Sequence, residues 1–205
     1  NDWEAATTFL AGKGIPLEGL LAAGLVSQRQ EGGGHYDRFR NRIMFPIRDV
    51  QGRMAGFGAR ILDPDDVPKF LNSPQTRLFE KGHLLYGLNL ARKSIRQQAQ
   101  AVIVEGYMDV ILLHQAGFTN TVSPMGTALT EDQLRQLKRF TRSIVLALDA
   151  DAAGASATLR GLEVARQAMD RTVEIDAGAG GLFDARGLLS SETRLQADLR
   201  VTSLP

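Results

Sequence analysis

Two short apolar runs, each followed at once by carboxylates, constrain the fold of this chain more than any other feature of its sequence. Residues 101–104 run into Glu105, and residues 143–148 run into Asp149 and Asp151. Apolar runs of this length are typical of strands that are buried on both faces of a parallel sheet. Because open α/β sheets bind ligands at the carboxyl ends of their strands, we expect these acids to share one crevice.

Carboxylates that converge at one edge of a sheet need a partner, because each disfavours the ionised form of its neighbours. A hard divalent cation with oxygen ligands is the natural partner. The candidate metal ligands and catalytic residues are Glu105, Asp149 and Asp151, and Asp109 can point back to the same place from one turn beyond Glu105. Asp149 and Asp151, at i and i+2, share one face of an extended chain and can hold one cation or bridge two. The pattern indicates metal-assisted phosphoryl chemistry.

Each acidic motif also has an ordinary structural interpretation. Asp149 and Asp151 could form a solvated turn or cap the helix that follows, and Asp109 could cap its own helix. A glutamate at position 105 would be costly if it were buried without a partner. Two acidic strand ends within one α/β unit are less expected by chance, so the metal site is the hypothesis that we pursue.

The composition excludes several classes of function. The chain of 205 residues contains no cysteine, which excludes disulfides, zinc ribbons and thiol catalysis within it and fits a cytoplasmic protein. No apolar run reaches the ~18 residues of a membrane span, and no signal peptide is recognisable. The sequence opens on Asn1 rather than Met, so we expect a fragment of a longer protein.

The net charge of +1 hides an uneven distribution. Residues 36–96 hold 12 Lys and Arg against 6 Asp and Glu, a balance of +6, and the remainder holds 12 against 17, a balance of −5. A basic segment combined with a carboxylate cluster suits a polyanion and metal ions. Ordinary surface variation would give a similar imbalance, so charge alone does not decide.

The pattern of elements predicts two domains, residues 1–98 and residues 99–205. The first contains a mixture of helix and hairpin signals. It reads as two helical pieces within 2–26, a glycine-rich loop at 30–34, a β-hairpin at 42–62 with Pro46 at an edge or bulge, a loop at 63–74 and a helix at 84–98.

From residue 99 onward, strand and helix signals alternate. The predicted strands are 101–104, 120–123, 143–148 and 199–203, and the predicted helices are 107–115, 130–140 and 155–169, the second opened by a capping box at Thr130. Repeated β-α units imply a parallel sheet covered on both faces. The predicted fold class is therefore an α+β N-terminal subdomain followed by an α/β domain with a parallel, Rossmann-like sheet.

The two acidic motifs, Glu-Gly-Tyr-Met-Asp at 105–109 and Asp-Ala-Asp-Ala-Ala-Gly at 149–154, resemble the TOPRIM signature of bacterial DNA primases, type IA and II topoisomerases and some nucleases. Four upstream segments narrow the resemblance to the catalytic core of the bacterial replicative (DnaG-type) primase. They match its N-terminal subdomain in order and spacing and lie at 36–47, 56–60, 68–74 and 81–87. The resemblance covers residues 3–170.

The resemblance implies template-directed, de novo synthesis of short RNA primers on single-stranded DNA by two-metal nucleotidyl transfer. The ions would be Mg²⁺ or Mn²⁺ on Glu105, Asp109, Asp149 and Asp151. It also implies a set of residues that hold template, primer or ribonucleoside triphosphate, and their chemistry agrees, although any single arginine could instead belong to a solvated hairpin face. This set comprises Arg38, Arg40, Arg42, Arg60, Lys69, Asn72 and Lys81.

The resemblance has gaps. The family carries an upstream zinc-ribbon domain and a C-terminal domain that docks onto the replicative helicase, and neither is in this sequence, so zinc is implied only for an absent domain. We expect domain 1–98 to be incomplete at its start and domain 99–205 to be truncated before its last acidic motif, of the form G-K/R-D-P-D, for which Asp184 is a poor substitute. Extension past Pro205 should then raise activity.

Two alternatives to a primase core stay open. One is another TOPRIM enzyme, either a nuclease or a topoisomerase, although a topoisomerase needs a tyrosine nucleophile in a separate domain. The other is a non-catalytic fragment that binds only nucleic acid and metal. Trp3 and Phe9 lie at helical spacing, and we expect them in the core rather than in base stacking.

Overall fold

The structure, a computed structural model, describes residues 3–30, 32–126 and 128–148, together with the backbone of residues 175–177. Asp149 and Asp151 lie outside the described residues, as do Asp184, the predicted helix 155–169 and the predicted strand 199–203. None of the helices in the described part of the chain combines the length and hydrophobicity that a membrane span needs.

The chain divides into two compact units. The first comprises Asn1–Arg48 and Arg53–Glu80, and the second comprises Asp49–Gly52 and Lys81–Pro205. Each unit has its own sheet or sheets.

The first unit begins with two short helices, α1 (Ala5–Ala11) and α2 (Leu17–Ala22), as the sequence predicts. Asp37, only 3% exposed, holds the start of α1. Its carboxylate accepts hydrogen bonds from the backbone N–H groups of Ala6 (2.6 Å) and Thr7 (2.9 Å). A carboxylate at this position satisfies N–H groups that have no partner within the helix and complements the helix dipole.

Two antiparallel sheets complete the first unit. One is a hairpin of β1 (Val26–Gln28) and β2 (His35–Asp37), and the other has the order β3-β4-β5, formed by β3 (Arg42–Arg48), β4 (Met54–Ile61) and β5 (Phe70–Asn72). The predicted hairpin at 42–62 is confirmed as the β3–β4 pair. The predicted loop at 30–34 is confirmed in its described residues, and the predicted loop at 63–74 is right only in part, because β5 occupies residues 70–72.

Pro46 lies on β3, an edge strand, as the sequence predicts. It stands opposite Phe57, whose N–H bonds the hydroxyl of Ser73 and whose carbonyl accepts from the Ser73 N–H. The missing N–H of the proline therefore removes no bond from the sheet. The register shift that the sequence allowed near Pro46 falls between Ile47 and Arg48.

The second unit is built on a parallel sheet with the order β7-β6-β8-β9. Its strands are β6 (Gln100–Ile103), β7 (Thr121–Val122), β8 (Ser143–Leu146) and β9 (Ile175–Ala177), and its helices are α3 (Leu88–Gln98), α4 (Tyr107–Gln115) and α5 (Glu131–Lys138). One hydrophobic cluster joins α3 and α5 to one face of the sheet, and a second joins α4 to the other face. The predicted α/β fold with a parallel sheet covered on both faces is confirmed.

Two features of the second unit differ from the prediction by more than one or two residues. The helix predicted at 84–98 begins only at Leu88, because Gly87 adopts the left-handed region at φ 82° and Tyr86 pairs with Ser123 as an isolated antiparallel bridge. Strand β9 lies in a segment where the sequence predicts no strand. Both differences arise from contacts between distant segments, which local periodicity does not report.

Candidate functional site

Glu105 stands at the carboxyl end of β6, where the sequence predicts a ligand site. The strand ends are aligned, because Ile103 pairs with Val122 on β7 and with Leu146 on β8. The first residue after β8, Ala147, continues this alignment by donating its N–H to the Ile103 carbonyl at 2.9 Å. The half-buried Glu105 is therefore next to the ends of both neighbouring strands.

The loop of residues 123–126 fixes the backbone of Glu105. The carbonyl oxygen of Glu105 accepts two hydrogen bonds, from the hydroxyl of Ser123 (2.6 Å) and from the N–H of Gly126 (3.0 Å). The same hydroxyl accepts the N–H of Met125 at 2.8 Å. Met125 is buried at φ 64°, a region that non-glycine residues rarely adopt, so tertiary contacts hold this loop in place. No local sequence pattern indicates this role of Ser123.

Asp109 has the capping contact that the sequence analysis left open. Its carboxylate accepts a 2.9 Å hydrogen bond from the N–H of Gly106, at the start of α4. This contact anchors the Asp109 side chain at the carboxyl end of β6. Metal ligation by the same carboxylate stays a prediction.

The residues placed at this edge have donors that fit a hard divalent cation. Glu105 and Asp109 both offer carboxylate oxygens, the ligand type that Mg²⁺ and Mn²⁺ prefer. Within residues 3–148, with 31 and 127 left aside, no cluster of three or more His, Cys, Asp or Glu side chains could hold a metal ion. The other two predicted ligands, Asp149 and Asp151, lie outside the described residues.

The first unit contains a cavity of about 510 Å³ that brings three of the predicted basic residues together. Arg38, Arg40 and Arg42 line it, with the rings of Trp3 and Tyr36. Three carboxylates from the segment after β4 line it as well, at Asp63, Asp65 and Asp66. Guanidinium groups interleaved with aromatic rings suit nucleic acid, because phosphates pair with the cations and bases stack on the rings.

Arg38 connects the cavity to strand β5. Its Nε and Nη2 atoms donate to the carbonyl oxygen of Asn72 at 3.0 and 2.9 Å, so these two predicted residues lie together. Burial lowers the pKa of the Arg38 guanidinium, and the charge of Tyr36 opposes that shift. Arg38 stays protonated at any physiological pH, because the ordinary pKa of arginine is so high.

Arg40 stacks on Trp3, a contact that contradicts the expectation of a core tryptophan. Its guanidinium lies 4.0 Å from the centre of the Trp3 ring and 5.1 Å from that of Tyr36, and it donates to the Asp37 carbonyl at 2.6 Å. Trp3 is 50% exposed and precedes α1, and Phe9, also expected in the core, is 64% exposed. The helical spacing on which the prediction rested does not apply, because Trp3 is outside the helix.

The other predicted residues of the first unit have separate surroundings. Arg42 donates to the carbonyl of Pro68 at 2.6 Å and pairs with the carboxylate of Asp66 at 3.5 Å. Arg60 and Lys69 both lie 5.8 Å from the ring centre of Phe70, which stands opposite Arg60 across the β4–β5 pair. These three cations therefore already contact groups of the protein.

Lys81 belongs to the second unit, at the start of a short 3₁₀ turn, Lys81–His83. Its side chain is about half-buried, and burial lowers the pKa of its ammonium group. Among the residues that the structure describes, no carboxylate forms an ion pair with it.

Comparisons with known proteins give two family matches along this chain. Residues 1–92 match the family described as the DNA primase catalytic core, N-terminal domain, and residues 99–175 match the Toprim domain. A DNA primase of Clostridium acetobutylicum is 49% identical over 168 residues, which cover 82% of this chain and 28% of the relative.

Solved structures of DNA primase domains are similar to this chain as well. The crystal structure of a DNA primase domain from Pseudomonas aeruginosa has a TM-score of 0.79 and 42% identity, and the match covers 88% of this chain and 56% of that one. A DnaG primase catalytic domain bound to ssDNA has a TM-score of 0.74 and 39% identity, with 85% and 55% covered. This chain therefore spans little more than a quarter of the length of the Clostridium relative and about half of the solved domains.

Proposed function

Because this chain belongs to the DNA primase catalytic-core family and contains its Toprim domain, we propose that it synthesises short RNA primers de novo on single-stranded DNA during replication. It would act as a template-directed, DNA-dependent RNA polymerase. The observation that supports this most directly is the position of Glu105. It stands at the carboxyl end of β6, inside the parallel sheet, and its backbone is held by Ser123 and Gly126.

A Toprim domain implies the use of divalent metal ions. We assign two or more Mg²⁺ or Mn²⁺ ions to Glu105 and Asp109, together with Asp149 and Asp151. Bound ions of this kind stabilise the attacking 3′-oxygen and the leaving pyrophosphate of an in-line displacement. The carboxylate of Glu105 also offers a base that accepts the proton of the attacking hydroxyl.

The basic side chains would hold template, primer strand and ribonucleoside triphosphate through their phosphates. Arg38 and Arg40 line the cavity of the first unit, and their planar guanidinium groups suit phosphate oxygens. The half-exposed ring of Trp3 offers a stacking surface for a base in the same cavity. One of the related structures is a complex with single-stranded DNA, which supports this template. The remaining members of the assigned set are Arg42, Arg60, Lys69, Asn72 and Lys81.

The same proposal includes the two domains, the partners and the location of the protein. We assign residues 1–98 to a basic N-terminal subdomain of the primase core and residues 99–205 to the metal-binding Toprim domain. The partners would be the single-stranded DNA template, ribonucleoside triphosphates and the growing RNA primer, and the location would be cytoplasmic. The replicative helicase would dock onto the C-terminal domain that the family carries, which is not in this sequence.

Ribonucleotide incorporation on single-stranded DNA tests the proposal, with Mg²⁺ or Mn²⁺ and with Glu105→Gln as the control. We expect template-dependent synthesis, reduced about a hundredfold or more in the variant, because the carboxylate supplies both a ligand and a base. DNA affinity should be retained or rise, since the substitution removes a negative charge. Equal synthesis by both proteins would contradict the assignment of Glu105.

The same assay separates the two alternatives, neither of which the named relatives favour. A nuclease or topoisomerase would cleave the DNA strand instead of extending RNA. A non-catalytic fragment would bind the template and leave the nucleotides unused in both proteins.

A further inference from the structure

The buried amide of Gln133 is tied to the turn that bears Lys81. Its Nε2 atom donates to the carbonyl oxygens of Lys81 (3.1 Å) and Leu84 (2.8 Å). Its Oε1 atom accepts the N–H of Thr130 at 3.0 Å, as the second half of the capping box of α5. Gln133 is 0% exposed, and its nitrogen and its oxygen are both hydrogen-bonded. A buried amide so fully bonded fixes the groups that it contacts.

Two side chains close to Gln133 in the sequence donate hydrogen bonds to the carbonyl groups between Lys81 and Leu84. The hydroxyl of Thr130 donates to the Gly82 carbonyl at 2.6 Å, and Nε2 of Gln136 donates to the His83 carbonyl at 2.5 Å. The ring of His83 also contacts the carboxylate of Asp132. Four consecutive carbonyl groups, at residues 81–84, therefore each accept a bond from a side chain at the start of α5 or in its first turns.

These bonds hold a lysine whose ammonium has no acidic partner among the residues that the structure describes. The side chain is about half-buried, so its charge is partly removed from water without compensation. An anion would supply that compensation, and a phosphate chain is the anion that the proposed reaction provides. A rigid turn reduces the backbone freedom that is lost when the lysine meets this anion.

We propose that Gln133 is a positioning residue, which acts through the backbone of residues 81–84 to place the Lys81 ammonium against the phosphates of a ribonucleoside triphosphate. The inference rests on the proposed function, since it takes the nucleotide as the ligand. Gln133 itself touches no ligand, because it is enclosed by the turn and by α5.

A double-mutant cycle on the full chain tests this inference, with GTP binding by calorimetry as the measurement. The variants are Lys81→Ala, Gln133→Met and the combination of the two. Gln97→Met, on the exposed face of α3, is the matched control for the substitution. Circular dichroism and thermal unfolding establish that each variant is folded.

We expect Gln133→Met and Lys81→Ala each to weaken GTP binding by about tenfold, which corresponds to about 1.4 kcal/mol. Gln133→Met should have no further effect when Lys81 is already alanine, because the two residues act as one unit. Gln97→Met should bind GTP like the unchanged chain. Gln133→Met should also move the pH dependence of Lys81 acetylation, followed by mass spectrometry, toward that of an ordinary lysine, since the loosened turn admits water.

Two results would overturn the inference. One is an equal loss of GTP affinity from Gln133→Met in both backgrounds, which would mean that Gln133 acts elsewhere. The other is a folded Gln133→Met variant with unchanged affinity beside a weakened Lys81→Ala variant. If Gln133→Met does not fold, Gln136→Met takes its place, because it removes only the bond to His83 and should still weaken binding measurably.

Failure of the positioning role is distinguishable from failure of the proposed function. The double-mutant cycle measures nucleotide binding alone. The proposed function is tested by template-dependent synthesis and by its loss in Glu105→Gln. If the effects of Lys81→Ala and Gln133→Met are coupled but no RNA is synthesised, Gln133 keeps its positioning role at a nucleotide site and the proposed polymerase activity is contradicted.

Discussion

The guanidinium carbon of Arg40 lies 4.0 Å from the centre of the Trp3 ring. The same guanidinium donates to the backbone carbonyl of Asp37, the residue whose carboxylate holds the start of α1. Asp37 in turn donates its own N–H to the Trp3 carbonyl at 2.8 Å. The tryptophan and the arginine are thus fixed to one another through a single strand residue, and their shared surface faces the cavity.

Arg40→Ala should release the indole of Trp3. We expect a red shift of tryptophan fluorescence, because the half-exposed ring loses the cation that covers one face, and Trp3 is the sole tryptophan. The lost contact is worth about 0.5–1 kcal/mol, and affinity for single-stranded oligothymidylate should fall by at least the matching factor of about two to five. Arg77→Ala, an exposed arginine of the same unit, is the control. An unchanged emission maximum would contradict the stacking.

Ser123→Ala should loosen the loop that holds Glu105. The substitution removes the hydroxyl that donates to the Glu105 carbonyl and accepts from the Met125 N–H. Met125, whose backbone is in the left-handed region, therefore loses one of the hydrogen bonds that hold it. Each lost bond is worth about 0.5–1.5 kcal/mol. Hydrogen exchange should accelerate at the amides of Met125 and Gly126, and primer synthesis should fall with it.

The matched control for that experiment is Ser94→Ala. The hydroxyl of Ser94 pairs with that of Thr119 at 2.7 Å in the same unit. Its removal should leave the exchange of Met125 and Gly126 unchanged. Equal protection of these amides in the Ser123→Ala variant would show that the rest of the loop suffices.

The half-buried phenol of Tyr86 makes the second unit less stable at alkaline pH. Burial raises the pKa of its phenol above the ordinary value of 10.0, and its ring packs edge-on against Tyr107 at 4.9 Å. Above pH 10.0 the unfolded chain loses this proton before the folded chain does. Stability is therefore fully present below that pH and declines as the pH rises through the folded pKa.

Tyr86→Phe should flatten the decline of the unfolding free energy above pH 10.0, measured with urea. In a titration followed by tyrosinate absorbance, one component that titrates above pH 10.0 should vanish in this variant. A titration curve in which no such component is lost would contradict the raised pKa of Tyr86.

Gly56→Ala should destabilise the first unit. A Cβ atom at this position would lie 2.6 Å from Cδ2 of the buried Phe79 and 2.9 Å from Oγ of Ser73. Overpacking of this kind costs about 1–3 kcal/mol, measured as a lower urea midpoint. Gly19→Ala, inside α2 and with its nearest neighbour 3.7 Å away, should instead raise the midpoint slightly. A Gly56→Ala midpoint at or above that of the unchanged chain would contradict the crowding.

The features that could be predicted from the sequence are those with a strong local signal. Apolar runs ending in acids located strands β6 and β8 and placed Glu105 at a strand end. Helix α4 has the predicted bounds, Tyr107–Gln115, because Asp109 supplies an N-terminal signal and Gly117 a C-terminal one. The capping box at Thr130 is present as predicted. In each case the residue propensities, the hydrophobic pattern and the tertiary packing favour the same local structure.

The rest depended on contacts between distant parts of the chain. Strands β1 and β2 have three residues each, too few for a period to show. The ring of Trp3 is exposed because an arginine from beyond β2 covers it, and no helical spacing reports such a partner. The bonds from Gln133 to the turn at Lys81 join residues about fifty positions apart, and the capping box alone gives no sign of them.

Pro46 has a consequence for association between molecules. Strand β3 is an edge strand, and the apolar side chains of Ile43 and Met44 are substantially exposed on it. Such an edge would normally invite a strand from a second molecule to extend the sheet. A proline in the middle of β3 denies that strand a hydrogen-bond donor. The protein can therefore keep an apolar strand at the edge of its first unit at high concentration, with little tendency to form intermolecular sheets.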